Sequence, residues 1–249
     1  MDKDYRLILF DCFNTLFLSH APALPRVTID GKAVTSTAGL LSAALAPHHG
    51  PLEPALVHAA LRETWRWAAG QRGEFLREIS APVRMRQLFR VLGLTPPDEA
   101  LVQDLVWVHM DALLGSFILP PEHVDLLRTL RQRYRMAIFS NFDYAPGLMR
   151  LLHRHEIDGW FDPIIVSDAI GFRKPGAAAF ARAIAMASVA REQILFVGDS
   201  LEDDVQGAHA ARLDVAWISH GQAAPPALQQ PPTYALESLP ALARVLASP

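Results

Sequence analysis

The 249-residue sequence predicts an α/β fold, a parallel sheet flanked by helices and interrupted once by an all-helical insertion. Three observations predict it. Short, wholly apolar runs alternate with helix-period stretches. Each of the first four runs ends in a cluster of polar residues. The interval from 39 to 116 carries helix spacing with no convincing strand.

Leu7-Ile8-Leu9-Phe10 is the first run, apolar throughout, as suits a strand buried on both faces of a parallel sheet. Arg26-Val27-Thr28-Ile29-Asp30-Gly31-Lys32-Ala33-Val34 follows, with Asp-Gly between two alternating stretches, the signal of a hairpin. In the insertion, Leu41, Leu45, Val57, Leu61, Leu88, Phe89, Leu101 and Leu105 recur at helical spacing, punctuated by Pro47, Gly50, Pro54, Gly70, Gly73, Gly93, Pro96 and Pro97. Strand runs then resume at Met136–Phe139, Ile164–Val166, Ile194–Val197 and Val215–Ile218. Helical patterns over 122–134, 145–155 and 177–187 separate them, so each strand–helix–strand unit predicts a right-handed crossover. The stretch 222–232, with Pro225, Pro226, Pro231 and Pro232, reads as an extended surface loop.

Composition narrows the class. A hydrophobic share of 51% against 20% charged fills a sizeable core and excludes disorder. Lys and Arg total 23 against 26 Asp and Glu, a balance that argues against a nucleic-acid surface. The single cysteine, Cys12, excludes an internal disulfide and a cysteine-cluster zinc site. No apolar run reaches the ~18 residues that cross a bilayer, and the N-terminus lacks the pattern of a signal peptide. The expectation is a cytoplasmic protein with no membrane or nucleic-acid partner.

Ligands of a parallel α/β sheet sit outside the carboxyl ends of its strands. There the sequence places Asp11-Cys12-Phe13-Asn14-Thr15, Ser140-Asn141-Phe142-Asp143, Ser167-Asp168 with Lys174-Pro175 beyond, and Gly198-Asp199-Ser200-Leu201-Glu202-Asp203-Asp204. An aspartate in such a set can attack phosphorus or a polarised carbon, leaving a covalent intermediate for water to cleave. Attack on a phosphate brings negative charges together, which a divalent cation, a lysine and hydroxyl donors would offset. Asp11, Asp199 and a second acid at 203 or 204 suit magnesium. Spacing alone does not choose between the two electrophiles.

Asp11-x-Phe-Asn-Thr15-Leu16, Phe139-Ser140-Asn141-Phe142-Asp143, Gly171-x-x-Lys174-Pro175 and Val197-Gly198-Asp199-Ser200-Leu201-Glu202-x-Asp204 resemble, in order, the four motifs of the haloacid dehalogenase superfamily. The resemblance implies a Rossmann-like core with the first strand central, formed by residues 1–18 and 117–249. It implies a flap or hairpin and linker over 19–38 and a mobile helical cap over 39–116. Asp11 would be the nucleophile, with Ser140 and Lys174 holding the anion. Magnesium would be held by Asp11, the Phe13 carbonyl, Asp199 and Asp204, with Asp203 as the alternative outer acid. Thr15 would brace the loop, and Thr15, Asn14 and Asn141 would face the substrate.

Position 13 departs from the family's phosphatases, which carry a second aspartate there as general acid and base. The dehalogenase branch has an aromatic residue at that position and needs no metal. That branch also replaces the first acid of the fourth motif, whereas Asp199 is retained, and it carries an arginine where this chain reads Thr37-Ala38-Gly39-Leu40-Leu41-Ser42-Ala43. The expectation is therefore a magnesium-dependent phosphatase of a small phosphorylated metabolite, monomeric or homodimeric. A 2-haloacid dehalogenase working through an Asp11 ester, or a catalytically weak phosphate-binding module, is the alternative.

Overall fold

The computed structural model describes residues 3–223 and 230–247. Its elements run β1 (Leu7–Phe10), β2 (Leu18–Ser19), β3 (Arg26–Ile29), β4 (Lys32–Thr35), α1 (Ala38–His49), α2 (Pro54–Gln71), α3 (Ala81–Val91) and α4 (Glu99–Leu114). They continue with β5 (Phe117–Ile118), α5 (Pro121–Leu130), β6 (Arg135–Ser140), α6 (Ala145–Arg154), β7 (Ile164–Val166), α7 (Ser167–Ile170) and α8 (Ala177–Ala187). The last are β8 (Ile194–Gly198), α9 (Gly207–Ala210), β9 (Asp214–Ile218), β10 (Tyr234–Leu236) and α10 (Leu242–Ala247).

Six strands form one parallel sheet in the order β10-β9-β8-β1-β6-β7. Alternation within the apolar runs explains the three layers. Leu7 and Leu9 face one buried cluster with Ala137, Phe139, Phe196 and Val215, closed by Phe180 and Ala183 of α8. Ile8 and Phe10 face the other with Met136, Ile138, Leu195 and Val197, closed by Leu127 of α5, Leu151 of α6 and Leu242 of α10. Side chains of period two with apolar cover on both sides require the continuous apolar runs seen in the sequence.

Helices α1 to α4 build a third cluster around Leu41, Leu45, Val57, Phe89, Leu105 and Val106. The chain enters and leaves this helical body through β2 and β5, which pair antiparallel at Leu18↔Ile118 and Ser19↔Phe117. The hairpin forms as β3–β4, with Asp30 and Gly31 both at positive φ in its turn. Of the proline-rich stretch, residues 224–229 lie outside the described residues, Gln230 and Pro231 are exposed, and Pro232 is half-buried.

Strand order sets the site. From β1 the chain passes to β6 and β7 on one side, then to β8, β9 and β10 on the other. The reversal leaves a crevice at the carboxyl end of β1, where Asp11 follows directly.

Candidate active site

Asp11 leaves β1 with its amide donated to the Val197 carbonyl at 2.7 Å, and its side chain is buried. Lys174 arrives from the loop before α8, its ammonium donating to Asp11 Oδ1 at 2.6 Å and to Asp204 Oδ1 at 2.7 Å. Behind it, the ring centroids of Phe139 and Phe196 each lie 5.3 Å from the ammonium. Asn141 clasps the lysine backbone: its Oδ1 accepts from Lys174 N at 2.8 Å and its Nδ2 donates to Lys174 O at 3.0 Å. Nδ2 also donates to Asp203 Oδ2 at 3.1 Å. The protein itself therefore engages this amide, which positions the lysine.

The fourth strand end is shaped by a π-helical turn over Leu201–Gln206. Ser200 caps it, with Oγ accepting from Asp203 N at 3.0 Å, while Ser200 N donates to Asp204 Oδ2 at 2.9 Å. This reciprocal arrangement, akin to a capping box, turns Asp204 inward to 1% exposure and leaves Asp203 on Asn141. Asp199 is oriented by Trp217, whose Nε1 donates to its carbonyl at 2.8 Å, and by a longer contact from Thr15 Oγ1 at 3.4 Å.

Carboxylate oxygens of Asp11, Asp199 and Asp204 all lie within 4.8 Å of one another. Burial and crowding show in the acidities of Asp11 and Asp199. Burial raises Asp11 to about 7; Lys174 pulls it down, while Asp204 and Asp199 push it up. Burial raises Asp199 to about 6, again helped by Asp204. Burial alone would lower Lys174, but Asp11 and Asp204 outweigh it and hold the ammonium charged. Three carboxylates against one ammonium leave negative charge uncompensated, which a divalent cation would balance. Phe13 lines the cavity beside this cluster, and its carbonyl accepts no hydrogen bond among the described residues. The donor set fits magnesium.

A cavity of about 220 Å³ opens over this group, lined by Asp11, Phe13, Asn14, Lys174, Asp199 and Asp204 among others. Asn14 is exposed at φ 60°, its carbonyl accepting from His220 Nε2 at 2.7 Å. Ser140 and Thr15 are fully buried and do not line the cavity. Ser140 Oγ has no hydrogen-bond partner among the described residues. The Phe13 ring packs against Phe117 at 4.6 Å and Phe142 at 5.0 Å between centroids, so position 13 joins the site to the returning linker.

Sequence reasoning missed the neighbouring charge network. Asp143, which reads from sequence as a capping or solvated residue, forms a buried ion pair with Arg84 of α3. Glu78 pairs with Arg173 at 2.6 Å and also accepts from Ser167. The face of Trp65 carries Arg84 at 4.6 Å. Arg173 stands beside the motif lysine, but Arg72, Glu78 and Arg84 belong to the helical body, and no linear spacing connects them to it.

Known proteins share this fold and much of this sequence. A phosphoglycolate phosphatase of Pseudomonas putida is 30% identical over 213 residues, covering 84% of this chain and 74% of its own. The Bacillus subtilis protein YfnB, solved bound to magnesium, superposes with a TM-score of 0.63 at 23% identity, over 99% of this chain and 100% of its own. A 2-haloacid dehalogenase of Pseudomonas syringae superposes with a TM-score of 0.70 at 21% identity, over 98% of each chain. The family model for haloacid dehalogenase-like hydrolases matches residues 5–212, the span that carries the Asp11 loop, the helical body and all three later strand-end motifs, and the chain belongs to that family.

Proposed function

We propose that the protein is a magnesium-dependent phosphatase of a small phosphorylated metabolite. The observation that carries this reading is the Asp11, Asp199 and Asp204 cluster with Lys174 bridging two of its members. A carboxylate nucleophile for a neutral carbon centre needs no such set, whereas an anionic phosphoryl group meets Asp11 only against compensating positive charge. The similarity to a phosphoglycolate phosphatase supports the same choice.

Asp11, the Phe13 carbonyl, Asp199 and Asp204 would hold magnesium, which when bound supplies positive charge against both the nucleophile and the phosphate. Asp11 attacks phosphorus, the ester oxygen leaves, and water then cleaves the aspartyl phosphate to return the carboxylate. Lys174 stays protonated and faces the charge that develops on the transferred group. Asn141 fixes the lysine main chain, and Ser200 fixes Asp204. No carboxylate stands at position 13 to protonate the leaving oxygen, so alkyl esters, whose alkoxides leave poorly unprotonated, turn over more slowly than an acid at that position would allow.

That aromatic at position 13, packed between Phe117 and Phe142, is the observation favouring a 2-haloacid dehalogenase as the second reading. A panel of phosphate esters and 2-haloacids, each with magnesium and with chelator, separates the two. Phosphate release that chelator abolishes and magnesium restores is expected. Halide release indifferent to chelator would overturn the phosphatase reading, and no turnover of either class would leave a phosphate-binding module.

A further inference from the structure

Beside the catalytic cavity lies a second one of about 130 Å³, where the helical body meets the core. Asn141 and Arg173 line both, so the two spaces adjoin. Three arginines, Arg72, Arg84 and Arg173, face two acids, Glu78 and Asp143. Both acids are taken: Asp143 by Arg84, and Glu78 by Arg173. Arg72, at the end of α2, makes no side-chain hydrogen bond or ion pair among the described residues, and its Nε is buried without a partner. Arg84 is 6% exposed, yet its Nε is likewise unpartnered. A guanidinium presents five donors in a planar fork and stays charged, so the half-buried Arg72, its Nε out of reach of any acceptor among the described residues, and the free Nε of Arg84 offer donors suited to an oxyanion. Charge counting agrees: the pocket holds one positive charge in excess. Burial and the nearby Arg173 also pull the Arg72 acidity in the direction that an absent anion would reverse.

We propose that this cavity is the subsite for a carboxylate borne by the substrate at the end remote from the phosphate, recognised by Arg72 and the Nε of Arg84. The inference rests on the phosphatase reading and names its substrate class: phosphate monoesters of hydroxy acids. The phosphoryl group lies over Asp11, the carbon chain passes Asn141 and Arg173, and the carboxylate enters between the arginines. Arg72 and Arg84 come from the helical body and Arg173 from the core, so the subsite is complete only when the two are together.

The test compares 3-phosphoglycerate with glycerol 3-phosphate, which differ in carboxylate against hydroxymethyl. A charge-assisted hydrogen bond in such a setting corresponds to about 10- to 100-fold. The wild-type protein is expected to favour 3-phosphoglycerate in kcat/KM by that factor, chiefly through KM. Arg72→Met should bring the ratio close to one, and Arg72→Lys, which keeps charge but loses the fork, should retain part of it. A wild-type ratio near one, or a ratio unchanged in Arg72→Met, overturns the subsite while leaving the phosphatase reading intact. If neither ester nor any other phosphate is hydrolysed, that reading fails, and calorimetric titration with the same two compounds decides the subsite. A Kd preference for 3-phosphoglycerate that Arg72→Met abolishes then upholds it, and equal Kd values overturn it.

Discussion

Gly198 and Asp204 occupy one space. A Cβ built on Gly198 would fall on the Asp204 carboxylate and stand 2.7 Å from the Asp204 Cβ. The strand must end in glycine for the π-helical turn to fold the outer acid back onto Lys174. Gly198→Ala therefore displaces Asp204, with the structure losing about 1–3 kcal/mol through overpacking. Phosphate-ester kcat should fall by about 100-fold or more, as on removal of an electrostatic contact, and magnesium should raise Tm less than in wild type.

Asp11→Asn separates catalysis from stability. It removes one of three carboxylates crowded within 4.8 Å, so the metal-free protein should melt higher than wild type in chelator while phosphate release is abolished. A variant that melts lower would mean that the Lys174 contact outweighs the crowding.

His109 gives the helical body a dependence on pH. Its Nδ1 meets Thr37 Oγ1 at 2.7 Å, and burial, aided by Arg84, lowers its pKa from 6.5 to about 3. Between those values the unfolded chain binds a proton that the folded chain does not, so stability falls as pH drops below 6.5. From pH 7 to pH 5 this residue alone should cost about 2 kcal/mol. Urea unfolding of wild type and His109→Gln at both pH values measures it, and the variant should lose less.

Phe13→Asp places an acid where the family's phosphatases have one. Turnover of alkyl phosphates should rise, since general acid–base catalysis is worth about 100-fold or more when well placed. Loss of ring contacts with Phe117 and Phe142 should cost about 1–3 kcal/mol, visible as a lower Tm. Unchanged alkyl-ester rates would show that another group already serves as the acid.

The sequence made the sheet legible because strands covered on both faces must be apolar throughout, and Leu7–Phe10 and Ile194–Val197 are. Tyr234–Leu236 escaped notice: three residues long, with only Leu236 buried, it carries too little pattern to read as a strand. Positions Leu18–Ser19 and Phe117–Ile118 pair for only two residues each and have no local signature. Strand-end motifs pointed to Asp11, Lys174, Asp199 and Asp204 because their chemistry is local to each turn. Whether Asp203 or Asp204 turned inward depended on the π-helical turn, which no 3.6-residue period reveals. Arg72, Arg84 and Glu78 meet Asp143 and Arg173 only after the helical body docks, so their association is a product of tertiary structure.

The two ion pairs across that junction run in opposite senses. Arg84 of the helical body reaches Asp143 of the core, and Arg173 of the core reaches Glu78 on the other side. Each half thus lends the other one cation and one anion, so separation leaves neither with a net electrical debt but exposes four ions that water must solvate together. The fold behaves as a latch with two reciprocal teeth, and salt, by screening the charges once hydrated, should ease its release more than it loosens either half.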